Sequence, residues 1–395
     1  MKKLILLLFL LITRTTFAQV QNGAAVPDIN FETVLNSPIK QIKLNQMKGK
    51  IVILEFWATW CGSCLEAMPH LKGLQKKYKD KLRVITVTNE SPKRTEQYLT
   101  YRPSNLWLAV DTNEVISSLF PHHSIPHTVL ISSAGTLIAN TSPQAITSLI
   151  IDSILNNQRI HLPEKKDNLM KYDDILKNHF SVADTVKNRF SMQPEIEGVA
   201  STSTTYFSNP VFSGRRITCI NLPLTTLYMI AFGNFPYSRM INETGINPDK
   251  SPRYCADLIV ENKEDLLPSL QKELLKRFDL QAKIELRSKE VYILKVSDPQ
   301  KAKNISLNTS GKTTYSSSHG EIDQQSITMP GFAEYLENYG SPKRLVEDET
   351  HLKNKFDIKF SFQPENPASL TKILSDMGLV LEKEQRNINM LIIYK

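Results

Sequence analysis

Over residues 25–160 the chain alternates short, almost wholly apolar runs with stretches whose apolar residues recur every three or four positions. The run from Ile51 through Val52, Ile53, Leu54 and Glu55 to Phe56 is short and β-branched at its start. It lies between Gly49 and the turn-prone Trp57-Ala58-Thr59, so it predicts a buried strand. Met68, Leu71 and Leu74 then follow at helical spacing. Further along, residues 82–87 and 106–110 predict strands, 94–98 begins a helix and 113–120 forms a short one. Residues 128–131 and 136–139 predict an antiparallel pair around Ala134-Gly135, and 145–155 a closing helix. Strands alternating with helices imply an α/β layered fold.

Beyond residue 160 the pattern changes. Periodicity fades over 161–213, which includes the polar run 201–205, and this region predicts a linker with a helical piece near 169–180. The remainder repeats itself. Leu274, Leu275, Phe278, Leu280, Glu285, Arg287, Ile293 and Leu294 recur as Ile373, Leu374, Met377, Leu379, Glu384, Arg386, Ile392 and Ile393, at a constant offset of 99 residues. A gapless match predicts a duplication, with one α+β module at 214–300 and a second at 320–395. Each copy reads as strand, helix, strand, helix and a two-stranded ribbon.

The full chain has 395 residues, 41% hydrophobic and 22% charged, which fits two or three globular domains and excludes wholesale disorder. Residues 1–18 predict a cleaved secretory signal: Lys2 and Lys3 precede an apolar stretch at 4–12 too short to span a bilayer. Thr16-Phe17-Ala18 places the cut before Gln19 and the protein in the periplasm or outside the cell. Removing Lys2, Lys3 and Arg14 lowers the formal charge from +8 to +5, a solvated surface rather than a nucleic-acid footprint.

The candidate chemistry lies at Trp60-Cys61-Gly62-Ser63-Cys64, between the strand at 51–56 and the helix after it. A sulfur there meets the free amides and positive dipole end of a helix N-terminus, which favour thiolate over thiol. Cys61 is the expected nucleophile and Cys64, one turn on, the resolving thiol. Zinc needs four ligands, and no second Cys pair lies at suitable spacing. His122, His123 and His127 lack an accompanying carboxylate set, so no metal and no cofactor is expected, although His127 has the position to act electrostatically on the thiolate. Cys219 and Cys255 leave three readings open, in order: a structural bridge between neighbouring strands, two free thiols, or a relay to the first pair.

The stretch from Phe56 to Cys64, with Pro69 beyond it and Ser124-Ile125-Pro126-His127-Thr128 later, resembles the thioredoxin superfamily in its exported TlpA/ResA-like branch, over about 25–160. The resemblance implies a thioredoxin-like fold, a central mixed sheet flanked by helices. It implies a cis-proline at Pro126 that turns the Ile125 backbone toward an extended substrate. It also implies a buried carboxylate, Glu55, behind Cys64, and a shield from Trp60. Gly62-Ser63 stands where typical thioredoxins carry Gly-Pro. Residues 270–280, 290–294 and 355–360 resemble the DUF3738 domain, over about 210–395, for which no activity is carried over. By analogy only, such paired modules bind partners. The expected function is thiol–disulfide exchange on protein substrates, in the direction of reduction and fed by a membrane-bound electron donor. In the competing reading, a partner-binding C-terminal module carries the main function. A peroxidase is disfavoured by the paired cysteines.

Overall fold

All six residues of Ile51–Phe56 are buried, which requires a central strand covered on both faces. A computed structural model describes residues 19–206, 208–318, 320–340 and 344–395 of the chain. The expected signal segment, residues 1–18, lies outside them. The chain divides into two compact units, one ending at Asp167 and lacking 96–103, the other containing 96–103 and Asn168–Lys395.

In the first unit Ile51–Phe56 runs parallel to Leu82–Thr88 and antiparallel to His127–Ile131. The full six-stranded order is Val34–Leu35, Trp107–Val110, Leu82–Thr88, Ile51–Phe56, His127–Ile131, Leu137–Thr141. Val52, Leu54 and Phe56 face one side, where they pack with Phe31, Ile116, Leu119 and Phe120. The alternate residues Ile51, Ile53 and Glu55 therefore face the other side. Helix Gly62–Tyr78 covers that side, burying Cys64, Ala67, Met68, Leu71 and Leu74. Gln75 ties the helix to the sheet: its amide donates to Leu82 O at 3.0 Å and its oxygen accepts from Val84 N–H at 2.8 Å.

The second unit contains the duplication as β-α-β-β-α-β, twice. The first copy comprises Arg216–Pro223, Leu224–Ala231, Met240–Asn242, Arg253–Ile259, Leu266–Arg277 and Gln281–Val296. The second comprises Glu321–Ile327, Met329–Tyr339, Val346–Asp348, Phe356–Ser361, Pro367–Asp376 and Leu379–Tyr394. The expected two-stranded ribbon within each copy is corrected. Residues 285–290 are polar except for Leu286 but hold no Gly, Pro or Asn to turn the chain, so Gln281–Val296 is one strand of 16 residues. It pairs antiparallel along its whole length with Leu379–Tyr394 of the other copy. Met240–Asn242 adds in parallel to the second copy's long strand, and Val346–Asp348 to the first copy's. The copies therefore interlock: Leu391 and Ile393 complete the first core.

The expected linker at 161–213 is also corrected. Helix Tyr172–Phe180 falls where a helical piece was expected, but Arg189–Pro194 and Thr202–Thr205 are strands. They form the two edges of a sheet whose inner strands are Arg216–Pro223 and Arg253–Ile259. An edge strand needs no alternating apolar face, and the β-branched threonines of 202–205 suit it despite their polarity.

The expected Cys219–Cys255 bridge is corrected by strand parity. Their strands are neighbours, but Cys219 sits opposite Ala256, so Cys255 projects from the other face. Cys219 packs with Leu227 and Leu258, Cys255 with Ile175 and Phe180, and both are free thiols. Burial pushes the Cys219 thiol up to about 12. Thiol titration of the oxidised protein in denaturant will therefore find two reactive groups, and the native protein will hide both. A count of zero in denaturant would establish the bridge.

No helix among the described residues is long and apolar enough to cross a membrane.

Candidate active site at Cys61 and Cys64

The central strand delivers the chain to the edge of the sheet, where Trp57 N–H donates to Val87 O at 3.0 Å and starts the turn. Thr59 is then held from the neighbouring strand's end. Its N–H and its Oγ1 donate to the two carboxylate oxygens of Glu90, each at 2.7 Å. Sequence reading passed over Glu90. The available signal was its place just past the strand next to the cysteines, at the same end of a parallel pair.

Cys61 is the N-cap of helix Gly62–Tyr78, and Cys64 N–H donates to its Sγ at 3.2 Å. The two cysteines form a disulfide. Cys64 is fully buried, Cys61 is 5% exposed, and Trp60 beside it is 56% exposed. A Cβ placed at Gly62 would meet no atom of the described residues within 4 Å, so among them the surface over the disulfide is open on that side. Ser63 Oγ lies 3.5 Å from Cys61 Sγ. The Ile125–Pro126 peptide bond is cis, and the Ile125 carbonyl oxygen lies 3.9 Å from Cys61 Sγ. Residues 64 positions apart in sequence thus meet at one sulfur.

Glu55 is fully buried on the sheet face that the helix covers. Thr128 Oγ1 donates to its Oε2 at 2.5 Å, and Oε1 has no hydrogen-bond partner among the described residues. Burial pushes its pKa up to about 8, against the smaller opposing pulls of the Thr128 bond and the Lys165 charge. At neutral pH the carboxyl is mostly protonated.

His127 is not the loop residue expected. It begins strand His127–Ile131, is 2% exposed, and stacks on His122 with ring centroids 4.5 Å apart. Burial first, then the His122 and Lys165 charges, push its pKa down to about 3. A neutral imidazole supplies no charge to the sulfur, so the expected electrostatic part for His127 is withdrawn. Among the described residues no group of His, Cys, Asp and Glu is arranged to hold a metal ion.

Residues 22–140 match the AhpC/TSA family. The first unit is a thioredoxin-like domain. Residues 251–395 match DUF3738, a protein family of unknown function. The thioredoxin-like domain is 40% identical over 78 residues to the thioredoxin-like protein YneN of Bacillus subtilis, covering 20% of this chain and 44% of YneN. It is 27% identical over 135 residues to the thiol-disulfide oxidoreductase ResA of the same organism, covering 34% of this chain and 74% of ResA. The chain thus spans less than half of YneN and about three quarters of ResA. Among solved structures, the thioredoxin domain of a Bacteroides vulgatus thiol-disulfide oxidoreductase matches with 19% identity and TM-score 0.30, over 36% of this chain and 100% of that one.

The second unit has its own cleft, of about 590 Å³, between the two repeat copies. Phe235 and Pro330 line it with Glu334, Glu347, Asp348 and Arg239. Arg239 is held by Glu337, Nη2 to Oε2 at 2.8 Å, and this carboxylate also accepts from Val346 N–H at 2.9 Å.

Proposed function

We propose that this chain is an exported thiol–disulfide oxidoreductase that reduces protein disulfides. The observation that carries the reading is the position of Cys61, at a helix N-terminus, at the rim of the fold and facing the Ile125 carbonyl. In the reduced state Cys61 attacks one sulfur of a substrate disulfide as the thiolate. The bond between the substrate sulfurs breaks, one leaves as thiolate, and a mixed disulfide joins Cys61 to the other. Cys64 then loses its proton and attacks Cys61 Sγ, which expels the second substrate sulfur and restores the Cys61–Cys64 disulfide. Two electrons pass to the substrate. Glu55, titrating near 8 on the face beneath the helix, is suited to take the Cys64 proton in its ionised form. Ile125 pairs with the substrate backbone beside Pro126. Trp60, Gly62 and Ser63 form the surface it lies on, and a membrane-bound donor re-reduces the pair.

The deciding measurement is the reduction potential of the pair, by equilibration with glutathione buffers. A value near about −270 mV supports a reductase, and one near about −120 mV an oxidant. Absence of exchange at Cys61 removes the reading.

Glu55 also sets a pH dependence of stability. Between about 4.5 and about 8 the unfolded chain has released this proton while the native chain keeps it. Stability contributed by this group therefore falls as pH rises through that window and is level above it. Glu55→Gln is expected to remove the fall. Urea unfolding of both proteins across that range checks it, and parallel curves would contradict it.

A second reading, partner binding by the C-terminal half, is favoured by the acidic cleft between the repeats. It requires that the cellular role survive loss of Cys61.

A further inference from the structure

Residues 163–167, which the sequence assigns to a linker, are built into the thioredoxin-like domain. Thr141 Oγ1 donates to Pro163 O at 2.6 Å, and Lys165 N–H donates to Asn140 O at 3.0 Å, so the segment follows the outer strand Leu137–Thr141. It ends against residues 123 and 124, immediately before the cis peptide. There Asp167 Oδ1 accepts from His123 N–H at 3.1 Å, from Ser124 N–H at 3.2 Å and from Ser124 Oγ at 3.1 Å. Lys165 Nζ donates to Ser124 O at 2.8 Å and to Asp167 Oδ2 at 2.5 Å. The Asp167 side chain is 4% exposed. All three polar groups of Ser124 are thereby held by one ion pair. The next residue is Ile125, whose carbonyl faces Cys61.

We propose that Asp167 and Lys165 are positioning residues: together they bracket Ser124 and so aim the Ile125 carbonyl at the backbone of an extended disulfide substrate. The proposal rests on the oxidoreductase reading above. A buried ion pair adds little net stability once desolvation is counted. Its charge-assisted bonds converge on three groups of one residue and are directional, so what they give the loop is a fixed geometry. Loops carry binding groups accurately only when a rigid scaffold holds them, and here the scaffold is the outer strand that the segment follows. A shift of about 1 Å in a positioning group costs up to about a hundredfold in rate. The bracket lies outside both motifs that mark the domain in sequence, and it acts through Ser124 rather than by touching sulfur.

The test uses the full chain, with dithiothreitol as the electron source and a cystine-linked dimer of an extended peptide as substrate. Asp167→Ala is expected to raise KM by about tenfold while kcat changes by less than about threefold. Lys165→Met should raise KM less. Asp167→Asn, which keeps an Oδ1 acceptor for the two loop amides, should recover most of the loss. Unchanged KM in both Asp167→Ala and Lys165→Met overturns the proposal, and so does an equal loss of kcat and of affinity in all three variants. If Asp167→Ala fails to fold, Lys165→Met decides: a raised KM supports the bracket and an unchanged one removes it. Unmodified wild-type protein that gives no turnover, although a parallel reduced sample takes up alkylating reagent at Cys61, removes the oxidoreductase reading and this proposal with it. Wild-type turnover with unchanged variant KM removes only this proposal.

Discussion

Cys61→Ser is expected to abolish reduction of a protein disulfide, by roughly three orders of magnitude or more, because serine at neutral pH supplies no comparable nucleophile. Cys64→Ser should behave differently. The first step survives and the second does not, so a mixed disulfide between Cys61 and the substrate accumulates and is visible as a mass adduct released by reductant. The asymmetry follows from burial: Cys61 keeps 5% exposure between Trp60 and Gly62, whereas Cys64, on the buried face of the helix, is fully enclosed. A Cys61→Ser protein that still reduces its substrate would move the chemistry elsewhere. Adducts formed equally at the two cysteines would remove the assignment of roles.

The second large effect belongs to the other unit. Arg216→Met is expected to destabilise it by about 3–5 kcal/mol, read as a lowered urea midpoint with near-native circular dichroism before the transition. Asp257 is fully buried and accepts from Arg216 Nε at 2.9 Å and from Thr218 Oγ1 at 2.6 Å. Arg216 Nη2 also donates to Phe180 O at 2.5 Å, which ties helix Tyr172–Phe180 to the sheet. Removing the guanidinium leaves a carboxylate in the interior with one hydroxyl for company. Replacing both partners with apolar residues should cost much less, because no orphaned charge remains. A double variant as unstable as Arg216→Met would show that shape, not charge, governs the site.

The oxidised pair illustrates what sequence carries well. Strand, turn and helix around Cys61 are consecutive, and each is specified by local rules: a buried apolar run, a cap and a 3.6-residue period. The repeat was legible for the same reason, since duplication leaves matched positions at one offset. What failed was how elements pair, and which polar stretches form edge strands at all. The ribbon in each copy became half of a shared pair of 16-residue strands: nothing at 285–290 turns the first, and the second pairs with it along its whole length. A pairing partner roughly a hundred residues away leaves no local mark. The cysteines at 219 and 255 were placed on adjacent strands, and a register of one residue then separated them to opposite faces.

The chemistry of the site divides the same way. The Cys61–Cys64 pair proposed as nucleophile and resolving thiol was legible in residue type and spacing, and the proline loop in the resemblance to the thioredoxin superfamily. Glu90, Lys165 and Asp167 carry no motif, because they reach from other parts of the chain to backbone groups, which every residue possesses, and to one hydroxyl each at Thr59 and Ser124. The sequence by itself determined most elements of the first unit, the duplication and the thiol pair, which depend on side-chain type, local periodicity and repeated spacing. The tertiary structure alone decided strand register, the interlocking of the copies, the isolation of Cys219 from Cys255 and the neutrality of His127. Each of these depends on distance and burial, which the chain acquires only on folding.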